Sequence, residues 1–138
     1  MSQLAIPIAI GLGGFTGALA RFYIAGAVAK SAGEEYGFTG TLAVNLIGCF
    51  LIGVLTSAAS RTEYLSPLMQ KCLITGLLGS LTTFSTFALD SLNLLQQGRV
   101  GAAMLNVGVN VCLGILLVWL GMSAAESVVP LQDTVPRE

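Results

Sequence analysis

Four stretches of this chain are long and apolar enough to cross a lipid bilayer, and nothing else in the sequence limits the fold as much. The charge-poor runs cover about 5–29, 39–59, 68–95 and 99–122, and each reaches the roughly 20 helical residues that traverse about 30 Å of hydrocarbon. Inside lipid every backbone N–H and C=O needs an internal partner, which makes a helix the element for runs of this length. Only 9% of the 138 residues are charged and 54% are hydrophobic, against roughly a quarter charged in a soluble domain. The sequence therefore predicts an all-α membrane protein, with one transmembrane domain over 1–138, four transmembrane helices and a short, frayed polar tail at 124–138. The first run lacks a basic leader, is too long for a signal-peptide core and carries Arg21 near its far end, so it is expected to remain as a span.

One run is interrupted. Residues 76–87 read GLLGSLTTFSTF, placing two glycines and then Ser80, Thr82, Thr83, Ser85 and Thr86 at what should be membrane depth. These residues are poor helix formers, and irregular main chain is tolerated there only where protein buries it or a wet cavity meets it. The third helix is thus expected to be broken mid-span. The break would free carbonyl oxygens able to hold a small cation and display Phe84 and Phe87, three apart, on one face of the second half-helix. Such a pair is ordinarily packing; beside Ser85 and Thr86, the positive edges of the rings can instead face an anion.

The other spans carry sparse polar residues in stripes. In the second, Thr41, Asn45 and Gly48 share one face; in the fourth, Asn106 and Asn110 are four apart, with Gly114 a further turn along. Asn45 reads either as an interhelical hydrogen-bonding residue or as a donor to a bound or permeating species. In the first span Gly11, Gly13, Gly14 and Gly17 point to close helix packing. Arg21 either snorkels to the interface or faces a wet vestibule, and makes that mouth positive in both cases. Asp90 is expected near the membrane surface.

Several function classes fall away. A net charge of −1 with no histidine does not make a nucleic-acid surface. Cys49, Cys72 and Cys112 show no metal-like spacing and read as small buried residues. Nucleophilic triads, HExxH, phosphate loops and dinucleotide fingerprints are absent from the sequence, so the chain does not read as an enzyme.

Lysine and arginine divide almost evenly between the two sides: Arg61, Lys71 and Arg137 on one, Lys30 and Arg99, with Arg21 nearest them, on the other. The positive-inside rule has little to act on. Such a chain can insert both ways, and two opposed copies could pack as an antiparallel, dual-topology homodimer whose broken segments meet around one cation.

With these residues in view, the sequence resembles the bacterial fluoride channel family, Fluc or CrcB. The resemblance is carried by GGFTGALAR at 13–21, GTLAVNLIG at 40–48, GLLGSLTTFSTF at 76–87 and LNVGVN at 105–110, in the family's order and across most of the chain. It implies passive fluoride export through two pores of an antiparallel homodimer in the bacterial inner membrane. It also implies a central Na+ held by main-chain carbonyls at Gly79 and Thr82. Phe84, Phe87 and Asn45 match the family's path-lining phenylalanines and asparagine; Thr41 matches a central threonine and Arg21 a vestibule arginine. Ser85 and Thr86, with hydroxyls able to donate, are expected to line the same path. Asn106 and Asn110 stand where some members carry Tyr and Ser, so the track stays polar with different donors. The rival reading is a small multidrug-resistance-type proton-coupled exporter. That chemistry needs a carboxylate at membrane depth, and the central parts of these spans carry none.

Overall fold

The computed structural model describes residues 4–62 and 65–129. Among them the helices are α1 (Ala5–Ala32), α2 (Phe38–Arg61), α3 (67–81), α4 (Phe84–Gln96) and α5 (Val100–Val128), with a short 3-10 turn at Glu34–Tyr36 between the first two. Taken as one span, α3 and α4 cover Pro67–Gln96, and each of the four spans is long and apolar enough to cross a membrane. The chain is a multi-pass membrane protein, helical throughout its spans, with the third broken as its composition requires.

The fourth helix runs further than expected. Residues 124–128, assigned to the polar tail, continue α5 to Val128. Ala125 is buried, Arg61 pairs with Glu126 at 3.4 Å, and the Arg61 guanidinium donates to the Val129 carbonyl at 3.5 Å. These contacts tie the ends of α2 and α5 together and hold the last turn. The rest of the tail, with Arg137, and Glu63 of the polar turn before the third span lie outside the described residues.

Lipid tails give helices no hydrophobic reason to associate, so close backbone packing has to do it. A Cβ at Gly13 would run into the Cys72 carbonyl oxygen, and one at Gly17 into that of Leu77, so α3 lies directly on the glycine face of α1. The pairing of α2 with α5 works the same way: a Cβ at Gly53 would strike the Val118 carbonyl, and one at Gly121 that of Phe50. Gly11, expected to share in this packing, meets nothing within 4 Å. The small central core is Val44, Leu78 and Leu81, while Phe15, Phe22, Ile115 and Trp119 face outward, where lipid is the solvent.

Two stretches wind wider than an α-helix. Lys71–Leu78 in α3 and Val109–Leu113 in α5 form π turns, a local loosening that often accompanies functional sites. A tight turn then joins α4 to α5. Gly98 adopts φ 74° there, and the N–H groups of Gly98 and Arg99 close back on the Leu95 and Leu94 carbonyls at 3.0 and 2.9 Å.

Candidate ion site at the helix break

The helix ends at Leu81 because Thr82 (φ −87°, ψ 154°) and Thr83 (φ −151°, ψ 111°) are both extended. Thr83 then starts α4 as its N-cap: its Oγ1 accepts from the Thr86 N–H at 3.3 Å. The Thr83 backbone is satisfied from another helix. Its N–H donates to Asn45 Oδ1 at 2.9 Å, and Asn45 Nδ2 donates to its carbonyl at 3.3 Å. Thr82 folds back, with N–H and Oγ1 both donating to the Leu78 carbonyl at 3.1 Å. Its methyl group occupies the space that a Cβ on Gly48 would need.

These commitments leave particular oxygens without their helical donors. In a continuous helix the Gly79 carbonyl would receive the Thr83 N–H and the Thr82 carbonyl the Thr86 N–H. The first of those donors is bonded to Asn45 Oδ1 and the second to Thr83 Oγ1. The partial charges sort themselves accordingly: the C-terminal end of α3 presents carbonyls, negative, and the first turn of α4 presents N–H groups, positive. The break thus sets a cation-favouring end beside an anion-favouring one.

Two cavities meet at Thr83. One, of about 680 Å³, is lined by Arg21, Thr41, Val44, Thr83, Ser85 and Thr86, among others. The other, of about 370 Å³, is lined by Asn45, Gly79, Thr82, Thr83, Phe84, Phe87 and Asn110 together with apolar side chains. The residues singled out in the sequence therefore divide. Arg21 stands with the hydroxyls of Thr41, Ser85 and Thr86, and among the described residues it makes no ion pair. Asn45 stands with the phenylalanines. The Phe84 and Phe87 rings lie 5.5 Å apart at 56°, but Phe87 is 9% exposed and Phe84 79%, so one is seated inside the chain and the other on its surface.

The fourth-span asparagines join the same site. Asn45 Nδ2 also donates to Asn110 Oδ1 at 3.1 Å. Asn110 Nδ2 donates to the backbone and side-chain oxygens of Asn106 at 3.0 and 3.1 Å. Asn106 Nδ2 donates to Ser91 Oγ at 3.0 Å, and that hydroxyl to the Phe87 carbonyl at 2.8 Å. Asn106 is 1% exposed. Gly114 stands apart from this chain of bonds, beside Cys49 Sγ. Sequence reading assigned no role to Thr83 or Ser91. The first carries the signature of a helix start, a threonine before FSTF; the second lies one helical turn beyond Phe87, on its face. Asp90 sits in α4 next to a separate cavity with Glu35, Asn93, Gln97 and Arg99, and its buried Oδ2 has no hydrogen-bond partner among the described residues.

The sequence is similar to known proteins over most of its length. Residues 8–122 match the family described as CrcB-like protein, Camphor Resistance (CrcB). A protein of Hydrogenovibrio crunogenus named fluoride-specific ion channel FluC is 43% identical over 115 residues, 83% of this chain and 86% of that one. Proteins of the same name from Geobacter sulfurreducens (43% over 118 residues, 86% and 94% of the two chains) and Pseudoalteromonas translucida (45% over 114, 82% and 93%) are similar over comparable lengths. With most of its length matched, this chain belongs to the CrcB-like protein family.

Proposed function

We propose that this chain is a fluoride-selective channel that lets fluoride leave the bacterial cytoplasm passively across the inner (plasma) membrane. The observation that carries the reading is the break itself. One cavity joins Arg21 to the hydroxyl side chains of Thr41, Thr83, Ser85 and Thr86 at the start of α4, the next joins Asn45 to two phenylalanines, and relatives of similar length are named fluoride-specific ion channels.

Fluoride is small and holds its water tightly, so a pore has to offer replacement donors at close range. Arg21 raises the local anion concentration at one mouth. Thr41, Ser85 and Thr86 provide O–H groups beside the positive first turn of α4, an arrangement suited to an anion. Beyond Thr83, Phe84 and Phe87 turn positive ring edges to the path. Asn45 and Asn110 form the polar wall of the same cavity, and Asn106, expected on the path, lies behind Asn110 and lines neither cavity.

The working unit in this reading is an antiparallel, dual-topology homodimer with two pores. Phe84 and Gly79 are exposed on the single chain, and a second copy laid across the break would cover them. The Gly79 and Thr82 carbonyls suit a sodium ion, being hard oxygen donors without helical partners. Two from each subunit would hold it on the dimer axis. Bound there, sodium supplies a fixed positive charge that offsets the cost of an anion at low dielectric.

The test is ion flux from liposomes carrying the purified protein. Fluoride efflux without a proton gradient, far exceeding chloride efflux, is the expected result. Proton movement driven by a cationic drug would instead support the exporter reading, and no flux of either kind would overturn both.

A further inference from the structure

The hydrogen bonds that link Ser91, Asn106, Asn110 and Asn45 run in one direction only, and the direction has a source. Ser91 Oγ spends its hydrogen on the Phe87 carbonyl, so toward Asn106 it can only accept. That forces the NH2 of Asn106 to face Ser91 and leaves Asn106 Oδ1 to accept from Asn110. Asn110 must then turn its oxygen to Asn45, which places the Asn45 NH2 against Asn110 and the Thr83 carbonyl and Asn45 Oδ1 against the Thr83 N–H. The Phe87 N–H closes the ring on the Thr83 carbonyl at 3.5 Å. The sequence of constraints runs from α4 through α5 and α2 and returns to α4.

Donor accounting separates the roles within this ring. Both hydrogens of the Asn110 amide point at Asn106 oxygens, and its remaining side-chain group is a carbonyl oxygen that accepts from Asn45 and would repel an anion. Ser91 and Asn106 line neither cavity at the break. A residue with no donor to offer, or with no access to the path, can still decide how Asn45 is turned. A flipped Asn45 amide would set N–H against N–H and oxygen against oxygen at Thr83, at the cost of two unmade bonds at membrane depth.

We propose that Asn110, oriented by Asn106 and Ser91, is a positioning residue that locks the Asn45 carboxamide against Thr83 and so holds the break in its conducting shape. The inference rests on the fluoride-channel reading. It gives Asn110 an effect on permeation that passes entirely through Asn45.

A double-mutant cycle on fluoride efflux from liposomes tests it, with the dimer checked by size-exclusion chromatography. Asn110→Ala and Asn45→Ala should each slow efflux about tenfold, and the double variant should be no slower than the worse single. Asn110→Ser, which keeps a hydroxyl able to accept and donate, should recover part of the rate. Ser91→Ala should slow efflux about threefold although Ser91 is remote from both cavities. If Asn110→Ala does not assemble, the cycle run with Asn110→Ser measures the same coupling. Losses that multiply in the double variant, or an Asn110→Ala protein as fast as wild type, overturn the proposal while wild-type flux leaves the channel reading intact. A wild-type protein that passes no fluoride overturns the channel reading itself and this inference with it.

Discussion

Asn45 pairs with Thr83 as one strand residue pairs with another: a carboxamide oxygen receives the backbone N–H at 2.9 Å while the amide nitrogen donates to the same residue's carbonyl at 3.3 Å. A side chain thereby replaces the bond that a continuous helix would have given the Thr83 N–H, and adds a second donor to a carbonyl that keeps its helical one from the Phe87 N–H at 3.5 Å. Removing it should cost more than a lost contact. Asn45→Ala leaves the Thr83 N–H unpaired at membrane depth and takes one of two donors from its carbonyl, and about 1–3 kcal/mol of destabilisation is expected. Thermal unfolding in detergent measures this. Asn45→Asp keeps an acceptor for the Thr83 N–H but loses both donors and adds a repelling charge, so fluoride efflux should fall further than folding stability does.

Phe84 and Phe87 should separate when each is changed to Ile. Both variants should conduct fluoride at a tenth of the wild-type rate or less, by the scale of a lost ion contact (about 1.4 kcal/mol per tenfold). Phe87→Ile should also lower the stability of the chain's own fold, by about 1–2 kcal/mol, because within the single chain Phe87 is 9% exposed whereas Phe84 is 79% exposed. Efflux and unfolding measured on the same preparations check the split. Normal conduction by both variants would remove the rings from the path.

Arg21 lines its cavity without an ion-pair partner among the described residues. Its charge is therefore available to solution anions, and Arg21→Gln should slow fluoride entry by several-fold at low ionic strength. Screening shortens the reach of a charge to about 8 Å in physiological salt, so the difference between variant and wild type should shrink as an impermeant salt is added. Flux measured across a salt series reads it directly.

The glycines of the first helix should respond in opposite senses. At Gly17 a methyl group would run into the Leu77 backbone, and Gly17→Ala should prevent assembly or lower the unfolding temperature markedly. Gly11 faces open space, where alanine should be neutral or stabilise by up to about 1 kcal/mol through helix propensity. Expression and unfolding temperature of the two variants compare these sites within one helix.

Much of this arrangement is legible in the residues. Length and apolarity alone placed the four spans, and the run of hydroxyls after Gly79 located the break because lipid tolerates irregular backbone only under special conditions. Other features depend on partners from distant segments. Nothing local to Asn45 reveals that Thr83 is its partner, and the spacing of Asn106 and Asn110 gives their shared face without giving its target. The two Phe rings are three residues apart, which fixes their adjacency, yet which of them is enclosed depends on where α2 and α5 lie. The end of α5 was misplaced for a related reason: Glu126 looks like a tail residue until Arg61 arrives from another helix to hold it and the Val129 carbonyl.

The ring of bonds from Thr83 through Asn45, Asn110, Asn106 and Ser91 draws on three spans at once. During insertion, therefore, no two of those spans can satisfy it. Until the third arrives, carboxamides sit in hydrocarbon with their donors idle, at a cost of some kcal/mol each. Half-inserted chains are accordingly high in energy, and the final docking step becomes nearly all-or-none, with membrane quality control given a clear difference between finished and unfinished copies.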